Sequence, residues 1–427
     1  MKYLPLKFHV LYITFTLLFS FFGPKVYDNF NKPIVLLFMF VYLSIVIIGF
    51  RAGFNSKIKV FINPEDKREK LIKLLQFCIK VSVVLFFINI IFLYSTDRLN
   101  IQVSSVGAKY ADYYDYYIEK TDSALFTFEI IFLVVSAIPK FIALALGFYY
   151  FNRLSSSYKI LFITFILLIL VTQTLSLGNQ KSIGDIAIFG AIALLIKAKG
   201  MEKTFRKRLI KKTVFIVFML FLFLSFSQYS RLSSRGISAF DINSNLASYS
   251  HFDLNHPIFS VLGYKFGLGI SYFISGYLSG GYYGLSMALQ LPFEWTYGIG
   301  NSVSLSSIVE KLFNTDIYSS TYLHRIELAH GIPGKKQWHT IFPWLASDFT
   351  FIGTLIIFYF FSYFYGKSWK EVMLFNNPVS ILLFSLLSIL FIFVPANNQI
   401  FHGFDYLLIT SFVFVLWSYR HIDFNVK

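Results

Sequence analysis

The chain has 427 residues, 56% of them hydrophobic, with 53 Phe, 28 Tyr and a formal net charge of +16. A soluble domain carries about 45–50% apolar residues, whereas apolar runs of 18 or more residues recur along this chain, as in membrane-spanning helices. A soluble multi-domain protein is thereby excluded, and the placement of the charges argues against nucleic acid as the partner of the basic excess.

The N-terminus carries Lys2 and Lys7 around the start of an apolar stretch, as a signal peptide would. No small-residue cleavage site follows; Phe21, Phe22 and Gly23 end the run, which predicts an uncleaved first span. In chain order the predicted spans are 5–22, 33–50, 74–94, 124–150, 158–176, 184–197, 213–229, 349–366, 378–394 and 403–419. The expected fold class is an all-α polytopic membrane protein with ten spans, or twelve if residues 257–292 cross as a pair. With the N-terminus inside, 23 of the 38 Lys and Arg residues lie in or beside internal segments. Acidic residues concentrate on the other side. This is the positive-inside pattern, chiefly set by Arg51–Lys73 and Lys197–Lys212. It predicts cytoplasmic termini, and anionic membrane lipids rather than nucleic acid as partners of the basic loops. The single cysteine, Cys78, excludes an intrachain disulfide and a CxxC metal site.

Among the expected external segments, 95–123 holds Tyr110-Ala111-Asp112-Tyr113-Tyr114-Asp115-Tyr116-Tyr117. This cluster suits sugar stacking or an interfacial aromatic belt. Within the spans, Glu129 and Lys140 stand on one helical face but about 16 Å apart, too far to pair directly. An intramembrane cation such as Lys140 is a functional candidate by default. Lys80 is placed to snorkel. Lys181 and Asp185, at spacing i,i+4, are expected to pair with modest effect.

The dominant feature is the long external segment from Ser230 to Asp348, with seven basic and seven acidic residues and five of the eight histidines. Residues 257–292 within it stay apolar and suit interfacial, re-entrant or spanning placement. No repeat of 20–50 residues is visible. No GxxxxGK[ST], GxSxG or HExxH motif occurs, and Gly331-Ile332-Pro333-Gly334-Lys335-Lys336-Gln337 lacks the phosphate-loop spacing. No cofactor is expected.

Arg231 and Arg235 follow the seventh span. If its helix continues, spacing i,i+4 puts both on one face, where forked hydrogen bonds suit a pyrophosphate. Cations are equally at home at a helix C-terminus beside lipid headgroups. His324-Arg325-Ile326-Glu327-Leu328-Ala329-His330-Gly331 predicts a helical turn stopped by glycine. Its histidines and glutamate fan over about 120°, which argues against a metal site. Arg325 suits an anion ligand better. Further on, Trp338, His339 and Asp348 combine an aromatic platform with groups able to accept a hydroxyl proton. Pro343 is expected to interrupt any helix joining His339 to Asp348.

Many spans, one large late external loop, arginines at its start, the stretch Tyr277-Leu278-Ser279-Gly280-Gly281-Tyr282-Tyr283-Gly284-Leu285-Ser286, and Trp338-His339-Thr340 with Asp348-Phe349 and Gly353 together resemble the O-antigen polymerase family. The architectural likeness covers nearly the whole chain, and the motif likeness residues 230–353. Arginine-plus-glycine repeats of some members are not reproduced at their spacing. The resemblance implies a fold similar to the GT-C type membrane glycosyltransferases. It also implies polymerisation of undecaprenyl-pyrophosphate-linked oligosaccharide repeat units at the periplasmic face of the bacterial inner membrane. Because the donor is already activated, no nucleotide is required. On that reading Arg231, Arg235, Arg325, Lys181 and Lys140 would meet phosphates. His339, Asp348 or Glu294 would serve the attacking hydroxyl, and Tyr282, Tyr283, Trp295 and Trp338 the sugars. A chain-length regulator and a flippase are the implied protein partners. An O-antigen ligase and a flippase for the same lipid-linked sugar are the alternatives.

Overall fold

The computed structural model describes residues 2–58, 65–101, 124–199, 201–234, 242–243, 249–334 and 339–420. They are almost entirely helical and fall into two compact units. Among the described residues, seven helices are long and apolar enough to cross a membrane, and two further apolar helices are shorter. All ten predicted spans fall on helices.

The first unit comprises residues 1–56, 236–370 and 387–404. Its first elements are α1 (Leu4–Phe22), β1 (Lys25–Tyr27) and α2 (Lys32–Asn55). Helix α2 starts where Asn31 accepts a hydrogen bond from the Ile34 N–H and where proline occupies the first turn, the preferred residue types at each position. Apolar side chains such as Leu11 and Phe40 remain about 70% exposed, as lipid-facing residues would. The opposite face of α2 packs closely on α13 (Ile341–Phe375). A methyl group on Gly53 would lie 1.9 Å from the Tyr363 carbonyl oxygen, and one on Gly366 would lie 2.2 Å from that of Phe50. Small residues one turn apart, here Gly49 and Gly53, let helix backbones approach in lipid.

Residues 249–334 of the long loop fold within this unit. Strand β2 (Ser250–Phe252) pairs antiparallel with β1, Val26 opposite His251. Four short helices follow: α8 (Pro257–Leu262), α9 (Tyr264–Phe273), which continues through a π turn at Ile274–Leu278, α10 (Gly281–Ala288) and α11 (Val303–Phe313). Helix α12 (Tyr322–His330) stops at Gly331, whose φ is +67°, the glycine-stopped turn expected from sequence. No helix between 257 and 292 is long enough to cross a membrane alone. Glycine and serine break this stretch into pieces, so it adds no second pair of long spans.

Helix α13 corrects one expectation. It begins at Ile341, past His339, and Pro343 sits in its first turn rather than interrupting it. A first-turn residue has no intrahelical use for its N–H, so proline fits there. The break falls instead at Thr350, with φ +61° and ψ 167°, a conformation that side-chain-bearing residues rarely adopt.

The second unit comprises residues 57–235, 371–386 and 405–427. It contains α3 (Glu65–Ser95), α4 (Ala124–Tyr150), α5 (Ser156–Ile169, continued as a π turn at Leu170–Ser176), α6 (Lys181–Ala198) and α7 (Lys203–Ser234). Parts of α13, α14 (Pro378–Phe393) and α15 (Phe404–Ser418) complete it. Charged residues stitch these helices. Arg98 donates to Glu129 at 2.6 Å. Glu371, fully buried, accepts from Ser380 Oγ at 2.5 Å, Trp417 Nε1 at 3.0 Å and Arg420 Nη2 at 2.6 Å. Lys199 caps the end of α13 by donating to the Val372 and Met373 carbonyls and to Asn376 Oδ1. Cations are favoured at a helix C-terminus.

Candidate functional site

The predicted site residues separate into a loop framework in the first unit and a charged cluster in the second. In the framework, α10 lies against the chain entering α13. A methyl group on Gly281 would stand 2.5 Å from the Thr340 nitrogen and 2.6 Å from the Pro395 oxygen, and one on Gly284 2.4 Å from His339 Nδ1. The glycine-rich motif is therefore a close-packing device. His339 is buried in this contact. Burial lowers its pKa from 6.5 to about 4, with the Pro333 carbonyl partly opposing the shift. Neither ring nitrogen forms a hydrogen bond of good geometry among the described residues. His339 is thus held neutral and is a weak base in this state.

Tyr282 and Tyr283, expected as sugar platforms, are closed. Tyr282 is fully buried and its hydroxyl lies 3.0 Å from Thr16 Oγ1. Tyr283 stacks between Tyr27 at 4.6 Å and Tyr249 at 5.7 Å, so both ring faces are covered. Burial raises the pKa of Tyr283 and pushes that of Tyr249 to about 12. The stack joins β1, β2 and α10, and Ser286 Oγ accepts from the Asn31 N–H, tying α10 to the start of α2.

Asp348 anchors a loop. Its Oδ1 accepts from Thr296 Oγ1 at 2.5 Å and the Gly300 N–H at 3.2 Å; its Oδ2 accepts from the Asn301 N–H at 2.8 Å and Asn301 Nδ2 at 2.6 Å. Asn398 Nδ2 donates to the Asn301 carbonyl, and Ser304 Oγ to that of His402. All four hydrogen bonds face the protein, so an external hydroxyl would have to displace one. On the anchored loop, Trp295 and Tyr297 stand exposed with ring centroids 5.0 Å apart. They form the open aromatic surface that Tyr282 and Tyr283 do not. Beside them Arg325 donates to Glu294 Oε1 at 2.9 Å and to the Pro292 carbonyl at 2.9 Å. The expected anion ligand and the expected proton acceptor therefore form one pair.

In the second unit, Lys140 and Lys181 come together, although 41 positions separate them. Lys140 Nζ lies 2.6 Å from Asp405 Oδ2. Asp405 interacts electrostatically with both lysines, as does Asp185. Lys181 Nζ sits 3.9 Å from Asp185 Oδ2 and 3.8 Å from the Tyr406 ring centroid. The Tyr406 hydroxyl faces Asp185. Just before Lys181, Gln180 donates to Ser227 Oγ and accepts from Gln228 Nε2 at 2.8 Å, which fixes the start of α6 to α7. Arg231 stands one turn beyond Ser227 on α7; its side chain, Arg235, Trp338 and the tyrosine cluster at 110–117 lie outside the described residues.

Asp405, Tyr406, Thr296 and Asn301 were not among the predicted site residues. One signal could have found Asp405: a lysine in mid-span needs a carboxylate, and Asp405 is one of the few acidic residues in or beside the apolar stretches.

Comparison of the chain with protein-family models, with curated proteins and with solved structures gives no match.

Proposed function

We propose that this protein is a membrane glycosyltransferase of the O-antigen polymerase type. It joins undecaprenyl-pyrophosphate-linked oligosaccharide repeat units at the periplasmic face of the bacterial inner membrane. One observation carries the reading: Lys140 and Lys181 meet at the N-terminal ends of α6 and α15, around Asp405. Lys181, the loosely held cation of the two, suits a lipid-linked diphosphate, the leaving group of the transfer, while Lys140 stays paired with Asp405. The exposed Trp295–Tyr297 pair suits sugar rings, and Arg325 with Glu294 lies beside it. Asp348 then serves by holding that loop in place.

The test is purified protein in lipid with undecaprenyl-pyrophosphate-linked repeat units and no nucleotide. Longer lipid-linked glycans are expected. Their absence under conditions where a known polymerase works refutes the reading. In cells, loss of the protein should leave one repeat per lipid A core; bare core would indicate a ligase instead. A flippase is the second reading, favoured by the ion pairs among the apolar helices. Translocation of the lipid-linked repeat unit in proteoliposomes, without polymerisation, would establish it.

A further inference from the structure

The two lysines of the cluster are held differently. Lys140 is committed: its ammonium donates to Asp405 at 2.6 Å. Lys181 is not. Its nearest carboxylate oxygen is 3.9 Å away, beyond hydrogen-bonding distance, and its ammonium rests on the face of Tyr406. Among the described residues its ammonium makes no hydrogen bond, and its side chain, 24% exposed, is the most open of the four charged groups. Around it, the Tyr406 hydroxyl faces Asp185 as its hydrogen-bonding neighbour, and among the described residues neither Asp185 Oδ1 nor that hydroxyl has a closer polar partner. A partly buried ammonium with donors to spare, held only by a ring face and a distant carboxylate, can turn to a stronger acceptor at little cost.

We propose that Lys181 is a parked diphosphate ligand, that Asp185 is the internal anion it leaves, and that the Tyr406 ring and hydroxyl serve the two ends of this exchange. In the resting state the ring face carries the ammonium by a cation–π contact, and Asp185 supplies a weak counter-charge. When a diphosphate arrives, the ammonium turns to its oxygens, where charge-assisted hydrogen bonds replace a contact that had none. Asp185 then loses its nearest cation, and the Tyr406 hydroxyl, which already faces it, remains its donor and limits the penalty of leaving it buried. Lys140 stays on Asp405 throughout. Gln180, fixed between Ser227 and Gln228, keeps the start of α6 in place while the lysine moves. The identity of the ligand as a lipid-linked diphosphate rests on the proposed function; the exchange rests on how Lys181 is held, 3.9 Å from Asp185 and over the Tyr406 ring.

Binding of undecaprenyl diphosphate and of inorganic pyrophosphate to the full chain in lipid nanodiscs tests this, with thermal unfolding of each variant recorded alongside. Lys181→Met keeps the aliphatic stem over Tyr406 and should weaken binding by roughly tenfold or more, the effect of losing one charge-assisted contact. Lys181→Arg should restore most of it. Asp185→Asn removes the competing anion and should tighten binding several-fold, whereas a purely structural pair would give weaker binding and lower stability. Tyr406→Phe keeps the ring, removes the hydroxyl and should weaken binding. Undecaprenyl diphosphate binding more tightly than inorganic pyrophosphate would identify a lipid source, and equal affinity a soluble one. Unchanged binding in Lys181→Met, or weaker binding in Asp185→Asn with normal unfolding, overturns the proposal. Polymerisation by the wild type is measured separately, so a protein that binds diphosphate by this exchange yet forms no polymer refutes only the enzymatic reading.

Discussion

Replacing Asp348 by asparagine separates anchoring from chemistry. The carboxylate is 5% exposed and accepts two hydrogen bonds on each oxygen: Thr296 Oγ1 and Gly300 N–H on one, Asn301 N–H and Nδ2 on the other. Asparagine keeps one acceptor and turns the other position into a donor. Whichever way the amide faces, one of these pairs then meets an N–H group. A hydrogen bond to a charged group contributes about 1.5–3 kcal/mol, so losing a pair should destabilise the protein by roughly 3–6 kcal/mol. Burial leaves little solvent to soften that figure. Thr296→Val removes a single donor and should cost about 1.5–3 kcal/mol. The assay is unfolding of the detergent-solubilised protein, paired with glycan synthesis per folded molecule. Asp348→Asn should be strongly destabilised, with activity falling as the Trp295–Tyr297 loop loosens. Wild-type stability with activity abolished would refute the anchor and place Asp348 in the chemistry.

Gly281→Ala should be among the most damaging small substitutions, because its methyl group meets backbone on two sides, Thr340 N and Pro395 O; overpacking of about 1–3 kcal/mol or more should appear as a lowered unfolding temperature. Glu371→Gln leaves Arg420, 4% exposed, without its buried counter-charge, and a cost of about 3–5 kcal/mol should show as loss of folded protein on expression. His339 is held neutral by burial, with a pKa of about 4 against 6.5 when exposed. Its contribution to stability is therefore complete above pH 6.5 and is lost as pH falls toward 4, by roughly 3 kcal/mol. A His339→Asn variant should lack that slope in unfolding measured from pH 7 to pH 4, and an unchanged slope would show that His339 is not the group responsible.

The helices were legible because lipid selects composition over long stretches, and composition survives any error in detail. All ten apolar stretches are helical. Their ends were less legible where a residue admits two roles. Pro343 reads as a helix breaker, but a first-turn position tolerates it, and the actual break at Thr350 carries no proline or glycine to announce it. Aromatic residues carry the least local information about whether they end up buried or exposed. Tyr283 and Trp295 are both large rings in one polar-apolar mixture, yet one is sealed between Tyr27 and Tyr249 while the other stands exposed. That difference depends on β1 pairing with β2 across more than 200 residues, and no local pattern encodes it. Charge parity offers more. Lys140 and Asp405 are 265 residues apart, but each is expensive alone in an apolar bundle.

The ordering of the loop bears on what kind of machine this chain can be. Residues 249–334 are held to α1 and α2 by the β1–β2 ribbon, by Tyr282 on Thr16 and by Ser286 on Asn31, and to the approach to α15 by Asn398 and His402. Those contacts lie far apart in sequence, so a motion of the loop relative to α1 and α2 would have to break several at once. A transporter's gate needs the opposite, a segment that moves at small energetic penalty. A transferase gains from such a frame, because holding two bulky amphiphiles in register supplies much of the acceleration when the donor already carries a good leaving group. The movable part required is small: one cation that can leave an internal partner for a phosphate. Lys181, paired loosely while Lys140 is paired tightly, matches that requirement. Cross-linking β1 to β2 through Val26→Cys and His251→Cys therefore distinguishes the two designs, since a polymerase should keep its activity with the ribbon locked and a loop-gated transporter should not.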